Sequence, residues 1–165
     1  MNIQFSRESM SEIQRIIGQY PSERKKSAIL PVLHIVQKEF NYLSVDVMDN
    51  VAEILEIKPI EVYEVATFYS MYHTKPVGKY LIEVCHTGPC MICGAEKTVE
   101  YLESKLGIKV GETTADGLFS LKTVECLGAC GYAPMFQMGE QYYEHLTEDK
   151  IDEIISQCKI SSSDN

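Results

Sequence analysis

Apolar residues recur at helical spacing through the first 73 positions and change to shorter alternating runs after them. From Ser6 to Gly18, Met10, Ile13, Ile16 and Ile17 fall on one helical face. Ser22 is the expected cap of a second helix to about Lys38, with Ile29, Val32, Leu33 and Val36 inward and a kink at Pro31. Ser44 caps a third, carrying Val47, Val51, Ile54 and Leu55, and Pro59 suits the first turn of a fourth, carrying Val62, Val65, Ala66 and Tyr69. Lys75–Tyr80 reads as a linker. Beyond it, Tyr80–Cys85 and Phe119–Glu125 read as strands, and Glu96–Leu106 as a helix closed by Gly107. Met135–Met138 and Gln141–Tyr143 read as a hairpin about Gly139-Glu140. Thr147 caps a last helix with Ile151, Ile154, Ile155 and Cys158 on its inner face.

The fold class expected is therefore α+β. Residues 1–74 form an N-terminal helical bundle. Residues 75–165 form a second domain with a small mixed sheet, in which a strand–helix–strand crossover makes one parallel pair and the hairpin adds antiparallel strands. That element order is a thioredoxin-like arrangement.

Composition narrows the chemistry. The 165 residues are 45% hydrophobic, enough for a real core, and only the tail Ser161–Asn165 reads as disordered. Net charge is −9 with scattered basic residues, so no nucleic-acid partner is expected. The most apolar stretch, Ala28–Val36, is too short to span a bilayer and contains Pro31 and His34, so no direct membrane insertion is expected. The N-terminal stretch has no apolar signal core and carries Glu8 and Glu12, which points to a cytoplasmic location. In a reducing compartment six clustered cysteines point to metal or redox chemistry instead of disulfides.

Four of those cysteines lie just past the ends of two predicted strands, as Cys85-x4-Cys90 and Cys126-x3-Cys130. If the strands are neighbours, both loops leave one sheet edge and four thiolates, the soft ligands of iron–sulfur clusters, converge. Gly88, Gly128 and Gly131 allow sharp bends and close backbone approach, and Pro89 and Pro134 stiffen the loops. Spacing alone leaves other sets open. Cys85, Cys90 and Cys93 spell the plant-type ferredoxin run C-x4-C-x2-C, with a fourth ligand from Cys126 or Cys130. Cys90, Cys93, Cys126 and Cys130 would suit structural zinc, and Cys90-x2-Cys93 would suit thiol–disulfide exchange. The bland alternative is small buried hydrophobes. No paired-carboxylate or Ser–His–Asp arrangement stands out, and His86 reads as a polar loop residue.

These loops, VCHTGPC (Val84–Cys90) and VECLGACGYAPM (Val124–Met135), together with EVYEVATFYSMYHTKPVGKY (Glu61–Tyr80) and QYYEHLT (Gln141–Thr147), resemble the NuoE-type [2Fe–2S] subunit of respiratory complex I, the NADH:quinone oxidoreductase. The resemblance covers about Arg24 to Leu146. It implies one [2Fe–2S] cluster on Cys85, Cys90, Cys126 and Cys130, with Cys93 a departure from the usual pattern. It implies a larger NuoF-type partner that carries FMN and the NADH site, other peripheral-arm subunits, and attachment to the inner membrane only through partners. No G-x-G-x-x-G run is present, so NADH and FMN are expected on the partner, with no turnover by this chain alone. The same module serves NAD-linked hydrogenases and formate dehydrogenases. The apolar run Val62–Tyr72 is expected to pack partly on a partner.

Overall fold

The structure, a computed structural model, describes residues 3–163. The chain divides after Pro76 into two compact units. Among the described residues the first holds four α-helices, α1 (Arg7–Ile17), α2 (Ile29–Phe40), α3 (Val45–Leu55) and α4 (Pro59–Phe68). The second runs β1 (Tyr80–Cys85), α5 (Gly88–Ile92), α6 (Ala95–Leu106), β2 (Phe119–Val124), β3 (Phe136–Met138), β4 (Gln141–Tyr143) and α7 (Glu148–Ser163). The expected α+β class, a helical bundle followed by a small mixed sheet, is the one observed.

In the first unit the hydroxyls of Ser6 and Ser44 cap α1 and α3 by accepting from the Ser9 and Val47 amides. Ile13, Val32, Leu33, Val36, Val51, Leu55 and Val62 close the core with no or almost no exposure. The second helix departs from expectation. Ser22–Ala28 is a 3-10 segment broken at Arg24 (φ −124°, ψ 30°), and the α-helix begins only at Ile29. Pro31 therefore falls in the first turn, where a missing N–H costs no helical hydrogen bond, and it does not kink the helix. The fourth helix is shorter than its apolar pattern suggested. It stops at Phe68, and Tyr69 takes extended dihedrals. Tyr72 turns back into the core, where its hydroxyl donates to the Leu30 carbonyl at 2.8 Å. Phe68, Tyr69 and Met71 stay exposed.

In the second unit the sheet order is β2-β1-β3-β4. β1 and β2 are parallel, in register from Tyr80↔Phe119 to Cys85↔Val124, and β3 pairs antiparallel with both β1 and β4. Ile82, Val84, Phe119, Leu121 and Phe136 bury one core with Leu102 of α6 and Ile151, Ile154 and Ile155 of α7. The approach to β1 is tied down: Gly78 donates to Ser120 Oγ at 2.7 Å and Lys79 to the Gly117 carbonyl at 3.0 Å. A Cβ on Gly78 would stand 2.7 Å from the Phe119 backbone, so only glycine fits this crossing.

The five-residue α5 was not foreseen, since it is too short to show periodicity. The tail is not disordered through Ser163: α7 continues, and the hydroxyls of Ser161 and Ser162 donate to the Gln157 and Cys158 carbonyls at 2.9 Å. Asp164 and Asn165 lie outside the described residues. Among the described residues no helix is long and apolar enough to cross a membrane.

Candidate metal centre

The parallel pairing of β1 and β2 sets the position of everything at this site. Cys85 is the last residue of β1 and lies level with Val124, the last of β2, so both chains leave the same end of the sheet. The Cys85 amide donates to the Met135 carbonyl and the His86 amide to the Val124 carbonyl, each at 3.2 Å. Gly88 then bends the first loop at φ 45° into α5, whose early Pro89 has the dihedral and missing donor a helix start favours. Cys90 on that helix is buried, as is Cys85.

The second loop leaves β2 and carries Cys126 and Cys130, both exposed, with their sulfurs 3.4 Å apart. Gly128 between them sits at φ 80° although a Cβ there would touch nothing, so the backbone conformation and not crowding requires glycine. In that conformation its N–H donates to Cys126 Sγ at 3.4 Å. Cys130 opens a 3-10 turn, Cys130–Tyr132. Buried Ala95 and Met135, with half-buried Leu127, Ala129 and Ala133, pack around Cys85 and Cys90.

The thiols act on one another. Burial opposes ionisation of Cys85, but amide donors from Thr87 and Leu127, with the Cys90 and Thr87 side chains, hold its pKa below the ordinary thiol value. Burial, then the hydrogen bond and charge of Cys85, push Cys90 up to about 11. Cys130 is raised chiefly by its hydrogen bond to Cys126, with a smaller contribution from the charge of Cys85. Cys85 is thus the thiol held most readily as an anion, and ionising Cys90 and Cys130 needs a cation to offset the charge.

The structure brings the predicted residues together as two pairs, Cys85 with Cys90 and Cys126 with Cys130. Among the described residues no three or more His, Cys, Asp or Glu side chains are grouped closely enough to hold a single ion. Paired thiols with amide donors aimed at sulfur are the donor set that a two-iron cluster takes, two sulfurs to each iron, so the residues fit a [2Fe–2S] group. Cys93 is exposed at the C-terminal end of α5. Cys158 is buried in the α7 core. His86 lies 4.0 Å from the Glu125 carboxylate, half-exposed.

Sequence reasoning missed two contributors. The pattern marks Met135 only as a strand start, yet it is 1% exposed behind the buried pair and its carbonyl accepts from the Cys85 amide. The pattern marks Tyr142 only as a hairpin residue, yet its hydroxyl donates to the Leu127 carbonyl at 2.7 Å. No spacing rule links a tyrosine on β4 to a loop after β2.

The thioredoxin-like [2Fe–2S] ferredoxin family matches residues 13–159. The E 2 subunit of the NADH-quinone oxidoreductase of Rhizobium meliloti (strain 1021) is 45% identical over 144 residues, covering 87% of this chain and 84% of the relative. The E subunit of the NADH-quinone oxidoreductase of Rickettsia felis (strain ATCC VR-1525 / URRWXCal2) is 45% identical over 157 residues, covering 94% of each. Among solved structures, the NAD+-reducing [NiFe]-hydrogenase in the air-oxidised state superposes with a TM-score of 0.72 at 21% identity, over 81% of this chain. This chain spans 23% of that hydrogenase chain, and the likeness is one of fold.

Proposed function

Because the chain belongs to the thioredoxin-like [2Fe–2S] ferredoxin family, we propose that it is the small electron-transfer subunit of an NADH–quinone oxidoreductase and holds one [2Fe–2S] cluster on Cys85, Cys90, Cys126 and Cys130. The observation that carries this reading is the convergence of two cysteine pairs at one end of the β1–β2 pair, in a chain 45% identical to its Rickettsia felis relative over 94% of its length.

The bound cluster supplies one-electron exchange, whereas NADH gives up a hydride, so a flavin must stand between them. The chain's own residues do the rest. Cys85 and Cys90 anchor the buried side, backed by Ala95 and Met135, which exclude water. Cys126 and Cys130 form the exposed side, where an electron enters with least protein in the way. Amides of Thr87, Leu127, Gly128 and Met135 point at sulfur and stabilise its negative charge.

In this reading residues 75–165 carry the cluster and residues 1–74 form a helical docking unit. The flavin and the NADH site belong to a larger partner, and any membrane attachment comes through partner subunits. Exposed Phe68, Tyr69 and Met71 in the first unit, and Met91, Ile92 and Tyr132 in the second, are apolar surface of the kind that a partner covers.

Affinity purification of the tagged chain from its own cells tests the assembly. Co-purification of an FMN protein together with membrane-embedded subunits is expected. Recovery with a nickel–iron or molybdenum subunit in their place would move the chain to a soluble NAD-linked enzyme.

A further inference from the structure

Tyr142 lies on β4, at the opposite edge of the sheet from β2. The loop that follows β2 nevertheless reaches it: the Tyr142 hydroxyl donates to the Leu127 carbonyl at 2.7 Å. That carbonyl belongs to the same peptide group as the Gly128 N–H, which donates to Cys126 Sγ at 3.4 Å. A proton donor on the oxygen of an amide draws charge from its nitrogen and strengthens the N–H as a donor. The chain of contacts therefore runs from the Tyr142 O–H through the Leu127–Gly128 peptide to the Cys126 sulfur. One peptide group earlier, the Leu127 N–H is among the donors to the sulfur of Cys85. The phenol thus holds the peptide whose N–H faces Cys126 Sγ.

Holding that amide toward sulfur needs an external contact. The peptide sits between two exposed cysteines and next to a glycine at φ 80°. A loop of this composition is free to rotate its peptide plane, and rotation would turn the Gly128 N–H away from sulfur. The phenol ring is half-exposed, so its removal empties no core.

We propose that Tyr142 is a positioning residue for the cluster, its hydroxyl fixing and polarising the Leu127–Gly128 peptide so that the Gly128 N–H at Cys126 Sγ raises the reduction potential. Amide donors to sulfur stabilise negative charge, and the one-electron-reduced state carries more of it. The inference rests on the ligand reading above.

The test compares Tyr142→Phe with the unmodified chain and with Tyr143→Phe. The Tyr143 hydroxyl contacts Gln141 at 3.3 Å and not the loop. Each protein is purified anaerobically, its iron and sulfide counted, its midpoint potential measured by EPR-monitored titration, and its amide exchange followed by mass spectrometry. Tyr142→Phe is expected to keep a full cluster, to have a lower potential, and to exchange the Cys126–Cys130 segment roughly fivefold faster, the effect of losing one hydrogen bond. Tyr143→Phe is expected to match the unmodified chain in potential. An unchanged potential in Tyr142→Phe would overturn the proposal whatever the exchange shows. So would loss of its cluster with faster exchange throughout the second unit, which would make Tyr142 a folding residue. An unmodified chain without iron and sulfide would instead remove the ligand reading, and the proposal with it.

Discussion

Cys85 and Cys90 are buried while Cys126 and Cys130 are exposed, so the four thiols differ in what surrounds them although each is a ligand in the proposed centre. Replacing any one with Ala leaves one iron with a single protein sulfur where it needs two, and the native cluster is expected to be lost. Cys93→Ala and Cys158→Ala are expected to keep iron and sulfide at the unmodified level. A cluster that survives in Cys130→Ala but not in Cys93→Ala would contradict the assignment. At this scale the sequence was most legible where chemistry leaves a spacing. Two cysteine pairs after two strands marked all four candidate ligands, and glycine marked the φ 80° turn at Gly128. Spacing could not show that Cys93 points to solvent at the end of α5, since that depends on a five-residue helix. Nor could it show that Tyr142 reaches Leu127, since that contact is made by tertiary structure alone.

At the scale of elements, caps and contacts between helices decide stability. Ser44 holds the start of α3, and Ser44→Ala is expected to lower unfolding stability by about 1 kcal/mol, read from denaturant titration. Leu33, fully buried in the helical unit, is expected to cost roughly 2–5 kcal/mol when cut to Ala, measured in the same way. In the second unit α6 and α7 are joined through Asp152, which accepts from Tyr101 at 2.7 Å and from Lys105 at 2.8 Å. Lys105, and then Tyr101, hold the Asp152 carboxyl below its ordinary value. Between the folded and unfolded values the unfolded chain binds more protons. The Asp152 contribution is therefore complete above pH ~4 and fades as pH falls through the lowered folded value. Asp152→Asn is expected to lower the urea midpoint at pH 7 and to flatten its fall below pH ~4. A midpoint that declines in acid as steeply as in the unmodified chain would show that other carboxylates govern it. Helices α1, α3, α6 and α7 were legible because a cap or stop residue flanked a long apolar period. The second helix starts later than expected because Ser22 has the chemistry of a cap, whereas Ser22–Ala28 carries no apolar period and its backbone takes a 3-10 path that breaks at Arg24. The fourth was overextended because Tyr69–Tyr72 continues the apolar pattern after the helix ends.

At the scale of the whole molecule the reading is of a chain that carries electrons and depends on others for its substrate. The order of strands and helices was enough to give the α+β class and the mixed sheet, since a crossover followed by a hairpin leaves few topologies. The isolated chain is expected to show no NADH oxidation with ferricyanide, and turnover by pure protein would reveal a flavin or nucleotide site on it. The most direct measurement is low-temperature EPR of the anaerobically purified chain before and after dithionite, with iron and sulfide counted on the same sample. The account predicts about two iron and about two sulfide per chain and a rhombic signal that appears only on reduction. Zinc in place of iron, no sulfide and no signal on reduction would contradict it.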